Sequence, residues 1–171
     1  MKHCFILGIT TRSGTNYLYN LLNLHPQTLG RGLLSEDFLL HFSKSLQNYK
    51  DQLYDLYRQH PTWDVENNIC TKKEFLGFLG RGLLDYLESP YIKNGVVKVG
   101  SAATDPRLLI TKTPSVRGLK RFFKLFPKAK LIILVRDGRS VTESGVKSFS
   151  HSYESLMQRW VQAANTIIEF Q

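Results

Sequence analysis

The sequence predicts an α/β fold, with a central parallel sheet flanked by helices in three layers. Three observations lead there. Near the N-terminus a short apolar run is followed at once by a glycine-containing loop and then by a helical pattern. Two further apolar runs, Leu108–Thr111 and Leu131–Val135, each precede another helical pattern. None of the three runs alternates with polar residues, which is the mark of strands buried on both faces, and strands separated by helices pair in parallel. The 171 residues, 42% of them apolar, are expected to form a single domain over 1–171.

Taken in order, Phe5–Ile9 reads as the first strand and Thr10–Asn16 as its loop. Tyr17–Leu24 reads as a helix with Leu18, Leu21 and Leu22 on one face, stopped by His25-Pro26. Glu36–Gln59 is expected to be helical, with Phe38, Leu39, Phe42, Leu46 and Leu53 at compatible spacings. Thr71–Glu88 is a second helix, with Thr71 as its N-cap, Glu74 three residues on, and Ser89-Pro90 as its end. The string Leu-Gly-Arg-Gly-Leu-Leu occurs at 29–34 and again at 79–84, but nothing around it repeats, so no repeat architecture follows.

After the strand at Leu108–Thr111, Pro114 is suited to the first turn of a helix, where its missing N–H is not needed. Val116, Leu119, Phe122, Phe123 and Phe126 would form its apolar face, and Arg117, Lys120, Arg121, Lys124 and Lys128 a basic stripe opposite. Pro127 ends it. The strand Leu131–Val135 then leads into a turn at Arg136–Arg139 and two helices, Ser140–Ser148 and Tyr153–Phe170.

The formal charge is +9, and its placement is uneven. Between Arg107 and Arg139 there are ten basic residues and one acid, Asp137, while the rest of the chain is balanced. Clustered cations attract polyanions, so a ligand or partner with several negative charges is expected. Cys4 and Cys70 supply neither a disulfide framework nor a zinc site, and they are expected to be reduced and buried. No apolar run approaches the roughly 20 residues that cross a bilayer. The N-terminus lacks a basic leader and a small-residue cleavage site, which points to the cytoplasm.

Two segments carry the chemistry. The first, Gly8 to Asn16, has the placement of a P-loop, which makes the expected fold a three-layer P-loop-like one. Successive backbone N–H groups and a helix N-terminus bind anions there. Arg12 adds a cation, Gly14 lets backbone approach, and Ser13, Thr15 and Asn16 add side-chain donors. It is not a nucleotide-hydrolysing G-x-x-x-x-G-K-[ST] motif, because Gly8 and Gly14 have five residues between them and no lysine follows Gly14. In the second segment, Arg136 stands at the carboxyl end of a strand, where open α/β sheets bind ligands, and its guanidinium suits a phosphate. Ser144, eight residues on, is within reach of the same anion.

Together these segments resemble the sulfotransferases that use 3′-phosphoadenosine 5′-phosphosulfate (PAPS). Thr11-Arg12-Ser13-Gly14-Thr15 resembles their 5′-phosphosulfate loop, and Val135-Arg136-Asp137-Gly138-Arg139 through Ser144 resembles their 3′-phosphate motif. Lys112-Thr113-Pro114 is similar to their Lys-x-Pro segment, and Phe126 to Leu131 to the run-in of the following strand; His25-Pro26 also fits. The nearest likeness is to tyrosylprotein sulfotransferases and related bacterial-type members, over about 4–36 and 108–165.

The resemblance implies sulfuryl transfer from PAPS to an acceptor hydroxyl or amine by in-line displacement, with no metal. It implies that Arg12, Ser13, Gly14, Thr15 and Asn16 hold the sulfated 5′-phosphate, and that Arg136 and Ser144 hold the 3′-phosphate. Arg12 and Lys112 would offset charge in the transition state. Glu36 is the expected base, with Asp37 and His41 as alternatives. A further basic residue of tyrosylprotein members matches Ser148 here, with Lys147 beside it. Family members run longer and close a later segment over the nucleotide, so the chain is expected to be incomplete at its C-terminus. The partners implied are the nucleotide and an unidentified acceptor.

Three other readings compete: a non-catalytic truncated homologue, a P-loop-type kinase, and a nucleic-acid-binding protein using the stripe at 117–128. The missing lysine after Gly14 counts against the kinase, and the absence of exposed aromatics among the stripe's cations counts against nucleic acid.

Overall fold

Lys2–Gly8 forms β1, and every residue of it after Lys2 is buried. A strand with no polar face needs cover on both sides, and the side chains divide accordingly. Phe5 and Leu7, with Ile9 beyond the strand, enter one core; Cys4 and Ile6 enter the other. The structure, a computed structural model, describes residues 2–30, 36–60, 62, 70–97 and 105–170.

Four parallel strands make the sheet: β1, β2 (Thr28–Gly30), β3 (Leu108–Thr113) and β4 (Lys130–Leu134), in the order β2-β3-β1-β4. Cys4 aligns with both Ile110 and Lys130, and Leu7 with both Thr113 and Ile133, so the carboxyl ends of the three longer strands share one edge. On one face lies α1 (Thr15–Asn23), which brings Leu18, Tyr19 and Leu22 to the smaller core. On the other lie α2 (Ser43–Arg58), α3 (Lys72–Lys93), a one-turn α4 (Phe122–Leu125) and α6 (Tyr153–Ile168). The larger core there centres on Phe5, Phe122 and Phe126, with Phe5 stacked on Phe126 at 4.8 Å between centroids and edge-on to Phe122 at 5.3 Å. α5 (Gly138–Phe149) follows β4. This is the expected three-layer α/β architecture.

Several local expectations are corrected. In α1 the inward residue is Tyr19, and Leu21 is half-exposed. The helix expected from Glu36 starts at Ser43, after a short 3₁₀ turn at Leu39–Phe42. Glu36 instead pairs with Lys112 as an isolated parallel bridge, and the side chains of β3 hold the chain against the strand there. The Thr111 hydroxyl donates to Asp37 Oδ2 at 2.7 Å, and the Phe38 N–H donates to Thr113 Oγ1 at 3.2 Å.

The helix expected from Pro114 also breaks up, into a 3₁₀ turn at Leu119–Arg121 followed by α4. Gly118 is the cause. Its φ is +85°, and a Cβ there would stand 2.1 Å from the Leu40 carbonyl oxygen. Phe123 accordingly leaves the apolar face and lies half-exposed, stacked on Phe170. The basic residues do not form one helical stripe: Lys120 pairs with Glu169, and Arg121 donates to Gln47 Oε1 at 2.7 Å.

α3 keeps the expected capping box at Thr71 and Glu74 but runs on through Pro90 to Lys93. Pro90 has no N–H for the Tyr86 carbonyl, and Ser89 Oγ donates to that oxygen at 2.8 Å in its place. The two copies of the repeated string differ at the two positions described in both. Leu29-Gly30 lies in β2, the rest of that copy and Ser35 fall outside the described residues, and the copy at 79–84 lies within α3. Cys4 is buried and Cys70 half-buried, both unpaired. Among the described residues, no helix is long and apolar enough to cross a membrane.

Candidate functional site

The loop after β1 closes on itself before α1 begins. Ser13 Oγ donates to the Thr10 carbonyl, and the Thr10 N–H donates back to Ser13 Oγ at 3.3 Å. Ser13 and Thr15 are buried, while Arg12 and Asn16 are exposed. Arg12 and Gly14 are both left-handed, at φ +69° and +95°; this conformation is strained for an arginine and natural for glycine. At its N-terminus α1 carries neither a side-chain cap nor an acid in its first turn. Its first N–H groups and the positive end of its dipole therefore face the loop without a protein anion, the arrangement that binds phosphate or sulfate.

The loop after β4 meets this one. Arg136 Nη1 donates to the Arg12 carbonyl at 3.2 Å, and Arg12 Nε donates to Ser144 Oγ at 2.9 Å. Arg12, Arg136 and Ser144 thus form one cluster spanning 132 residues of sequence. The loop is also held from behind, because Trp160 Nε1 on α6 donates to the Arg136 carbonyl at 3.1 Å. Asp137 caps α5 by accepting from the Ser140 N–H, a bond that holds its carboxyl below the usual carboxylate range. Lys147 pairs with Glu143 one helical turn away, and Ser148 is exposed.

From β3 comes the most buried cation of the site. The Lys112 side chain is 3% exposed, and its Nζ lies 2.5 Å from Glu36 Oε1, whose side chain is 35% exposed. The bridge between the two backbones sets this pair in register. Asp37 is engaged elsewhere, accepting from the Thr111 hydroxyl and from the Leu39 N–H at 2.8 Å. His41 packs edge-on to Phe38, and burial, followed by the nearby Arg117, pushes its pKa down.

Two cavities meet at Glu36. One, of about 330 Å³, is lined by Thr11, Arg12, Gly14, Thr15, Asn16, Tyr17, Glu36, Pro114, Arg136 and Phe149. The other, of about 810 Å³, shares Thr11, Glu36, Pro114 and Phe149 with it. It extends past Phe38, His41 and Val116 to Arg117 and Arg159. Of the residues expected from sequence, Arg12, Gly14, Thr15, Asn16, Arg136 and Glu36 line the first cavity. Ser13 braces the loop, Ser144 is reached through Arg12, and Lys112 is reached through Glu36. Phe149, Arg159 and the bracing role of Trp160 were not foreseen; helix spacing marks Trp160 as inward, but nothing local marks the other two. No group of three His, Cys, Asp or Glu able to hold a metal ion occurs among the described residues.

Such a site sets an uncapped helix start and two arginines beside a carboxylate on the wall shared with a second cavity. A family model described as "Sulfotransferase family" matches residues 4–171. No curated protein and no solved structure matches the chain.

Proposed function

The chain belongs to the sulfotransferase family, and from that premise we propose that it transfers a sulfuryl group from PAPS to an acceptor hydroxyl or amine. One observation carries this reading: a single cavity is lined by the uncapped start of α1, by Arg12 and Arg136, and by Glu36 in its ion pair with Lys112. These residues fit the donor's charge. Arg136 spends one N–H on the Arg12 carbonyl, which leaves its remaining donors for a phosphate, and the first turn of α1 offers backbone N–H groups to a second anion. When bound, PAPS supplies the sulfuryl group and leaves as adenosine 3′,5′-bisphosphate.

The chain's own residues do the rest. The loop at 11–16 and Arg12 hold the group that becomes the leaving phosphate, where negative charge grows as the sulfur–oxygen bond breaks. Arg136, with Ser144 behind Arg12, holds the other phosphate and fixes the nucleotide's orientation. Glu36 faces both cavities, so an acceptor in the larger one can pass its proton to the carboxylate as its oxygen or nitrogen bonds to sulfur. Lys112 holds Glu36 in position and brings a buried positive charge close to the transferring group. The likeness to tyrosylprotein-type members supports Glu36 as the base, and Asp37's bonds to Thr111 and Leu39 leave it less suited to the task.

Adenosine 3′,5′-bisphosphate should raise the melting temperature of the wild-type protein. Arg136→Ala should remove most of that rise at little cost to the unliganded melting temperature, because the Trp160 bond uses the backbone carbonyl and only the exposed bond to the Arg12 carbonyl is lost. No stabilisation of the wild type, or equal stabilisation of the variant, refutes the reading.

A further inference from the structure

A third cavity, of about 1070 Å³, opens at the opposite end of the sheet, where β1 and β4 begin. β1 spans seven residues, so about 20 Å of strand separates this cavity from the loop at 10–16. Its apolar lining is made by Phe78 and Leu84 of α3 with Pro127 and Ala129, over the fully buried Leu125 and Phe126. Its rim is cationic, made by Lys2, Arg81, Lys128 and Lys130. Lys2, Lys128 and Lys130 are exposed and have no acidic partner among the described residues, whereas Arg81 pairs with Asp85. The one acid on the lining, Glu74, is turned back into the capping box of α3, accepting from the N–H and hydroxyl of Thr71.

Gly77 marks a point on the lining where a side chain would enter this cavity. Glycine inside a helix costs about 1 kcal/mol relative to alanine and is normally explained by close packing. Gly80, one turn on, has that explanation, since a Cβ there would stand 1.8 Å from the Leu125 carbonyl oxygen. A Cβ at Gly77 would meet nothing within 4 Å, and Gly77 lines the cavity. Gly82, on the same helix, also faces open space but does not line the cavity; at Gly77 a larger side chain would enter it.

We propose that this basal cavity binds a free single-chain anionic amphiphile, with the alkyl chain against Phe78, Leu84, Pro127 and Ala129 and the anionic head among Lys2, Lys128 and Lys130. An apolar lining alone would favour any hydrophobic ligand, and a cationic rim alone any anion; the two within one cavity of small-molecule size select a molecule that has both parts. The site is separate from the sulfuryl-transfer reading and does not depend on it.

The test is fluorescence titration of the whole chain with a dansyl-labelled undecanoate, followed by displacement. Saturable binding is expected, displaced by dodecanoate about tenfold more effectively than by dodecanol and not displaced by adenosine 3′,5′-bisphosphate. Gly77→Leu, which puts a side chain into open space, should weaken binding at least about tenfold while leaving the melting temperature unchanged or higher. Lys128→Glu with Lys130→Glu should weaken dodecanoate about tenfold and leave dodecanol unaffected. The proposal is overturned by absence of saturable binding, by equal affinity for dodecanoate and dodecanol, by unaltered binding in Gly77→Leu, or by binding only to phosphatidylserine vesicles and not to monomeric dodecanoate.

Discussion

The Glu36–Lys112 pair allows stability and catalysis to be separated, because its two members are buried so differently. With Glu36→Gln, the Lys112 ammonium keeps its charge at 3% exposure and loses the only counter-charge found for it among the described residues. Orphaning a fully buried charge costs about 3–5 kcal/mol. Glu36 is 35% exposed, so solvent already screens part of the pair and the expected loss falls to about 1–3 kcal/mol. For a chain of this size that lowers the melting temperature by about 2–12 °C. With Lys112→Met, the orphan is a carboxylate on a cavity wall that water can reach, and the methionine fills the space of the lysine stem, so the loss should stay under about 1 kcal/mol. The double variant carries no orphaned buried charge and should regain most of the stability lost in Glu36→Gln. Activity should follow a different order. Glu36→Gln should lower kcat by about 10²–10⁴ as the proton acceptor is lost, and the double variant should be no more active despite its recovered fold. Thermal unfolding of all four proteins, beside sulfate transfer from labelled PAPS to a panel of hydroxyl acceptors, gives both readings. A Lys112→Met variant less stable than Glu36→Gln, or a double variant no more stable than Glu36→Gln, refutes the reasoning.

Arg136→Ala removes a charge-assisted phosphate contact of about 1.5–3 kcal/mol, so calorimetry should show bisphosphate affinity about 10- to 150-fold weaker. Gly80→Ala and Gly77→Ala, one helical turn apart in α3, should have opposite signs in urea unfolding. The first forces its Cβ into the Leu125 backbone and should destabilise by about 1–3 kcal/mol, while the second meets open space and should stabilise by about 0.5–1 kcal/mol. His3 is buried 3.0 Å from Glu88, and burial pushes its pKa down from 6.5 to about 4. The unfolded chain therefore takes up this proton first as pH falls, and stability present above pH 6.5 should decline towards pH 4, by about 3 kcal/mol in full. Glu88 works in the opposite sense, because burial raises its carboxyl pKa and its neutral form favours the fold at low pH. The difference in stability between wild type and His3→Asn, followed from pH 7.5 to 4, isolates the histidine contribution; a difference independent of pH contradicts it.

The parts of the fold legible in sequence are those whose structure is set by their own residues. β1, its loop and α1 follow from an apolar run, Gly14 and a helical pattern within about twenty residues, and the Thr71–Glu74 box is a local bond. The misread segments are set from a distance. Residues 36–42 have a helical pattern, but Thr111 and Thr113 hold Asp37 and Phe38 against β3, with Phe38 left-handed at φ +51°, and those partners lie some 75 positions away. Residues 114–121 have an amphipathic pattern, but Gly118 bends against Leu40, a contact with no local signature. Both corrections fall on the same seam, where the chain before α2 crosses the carboxyl end of β3, and both shape the site. Had 36–42 been helical, the backbone bridge that sets Glu36 against Lys112 could not form. The same division holds among the site residues. Arg12, Arg136 and Ser144, which the structure brings together, each occupy a recognisable place at the end of a strand or in the helix after it. The cavity wall at Phe149 and Arg159 has no such local mark, because α5 and α6 present those residues only once packed on each other. The proposed anion cradle is built from strand ends and a helix start, which short sequence patterns encode. The larger cavity is built by packing between elements distant in sequence, so the specificity proposed for it must be read from the assembled wall.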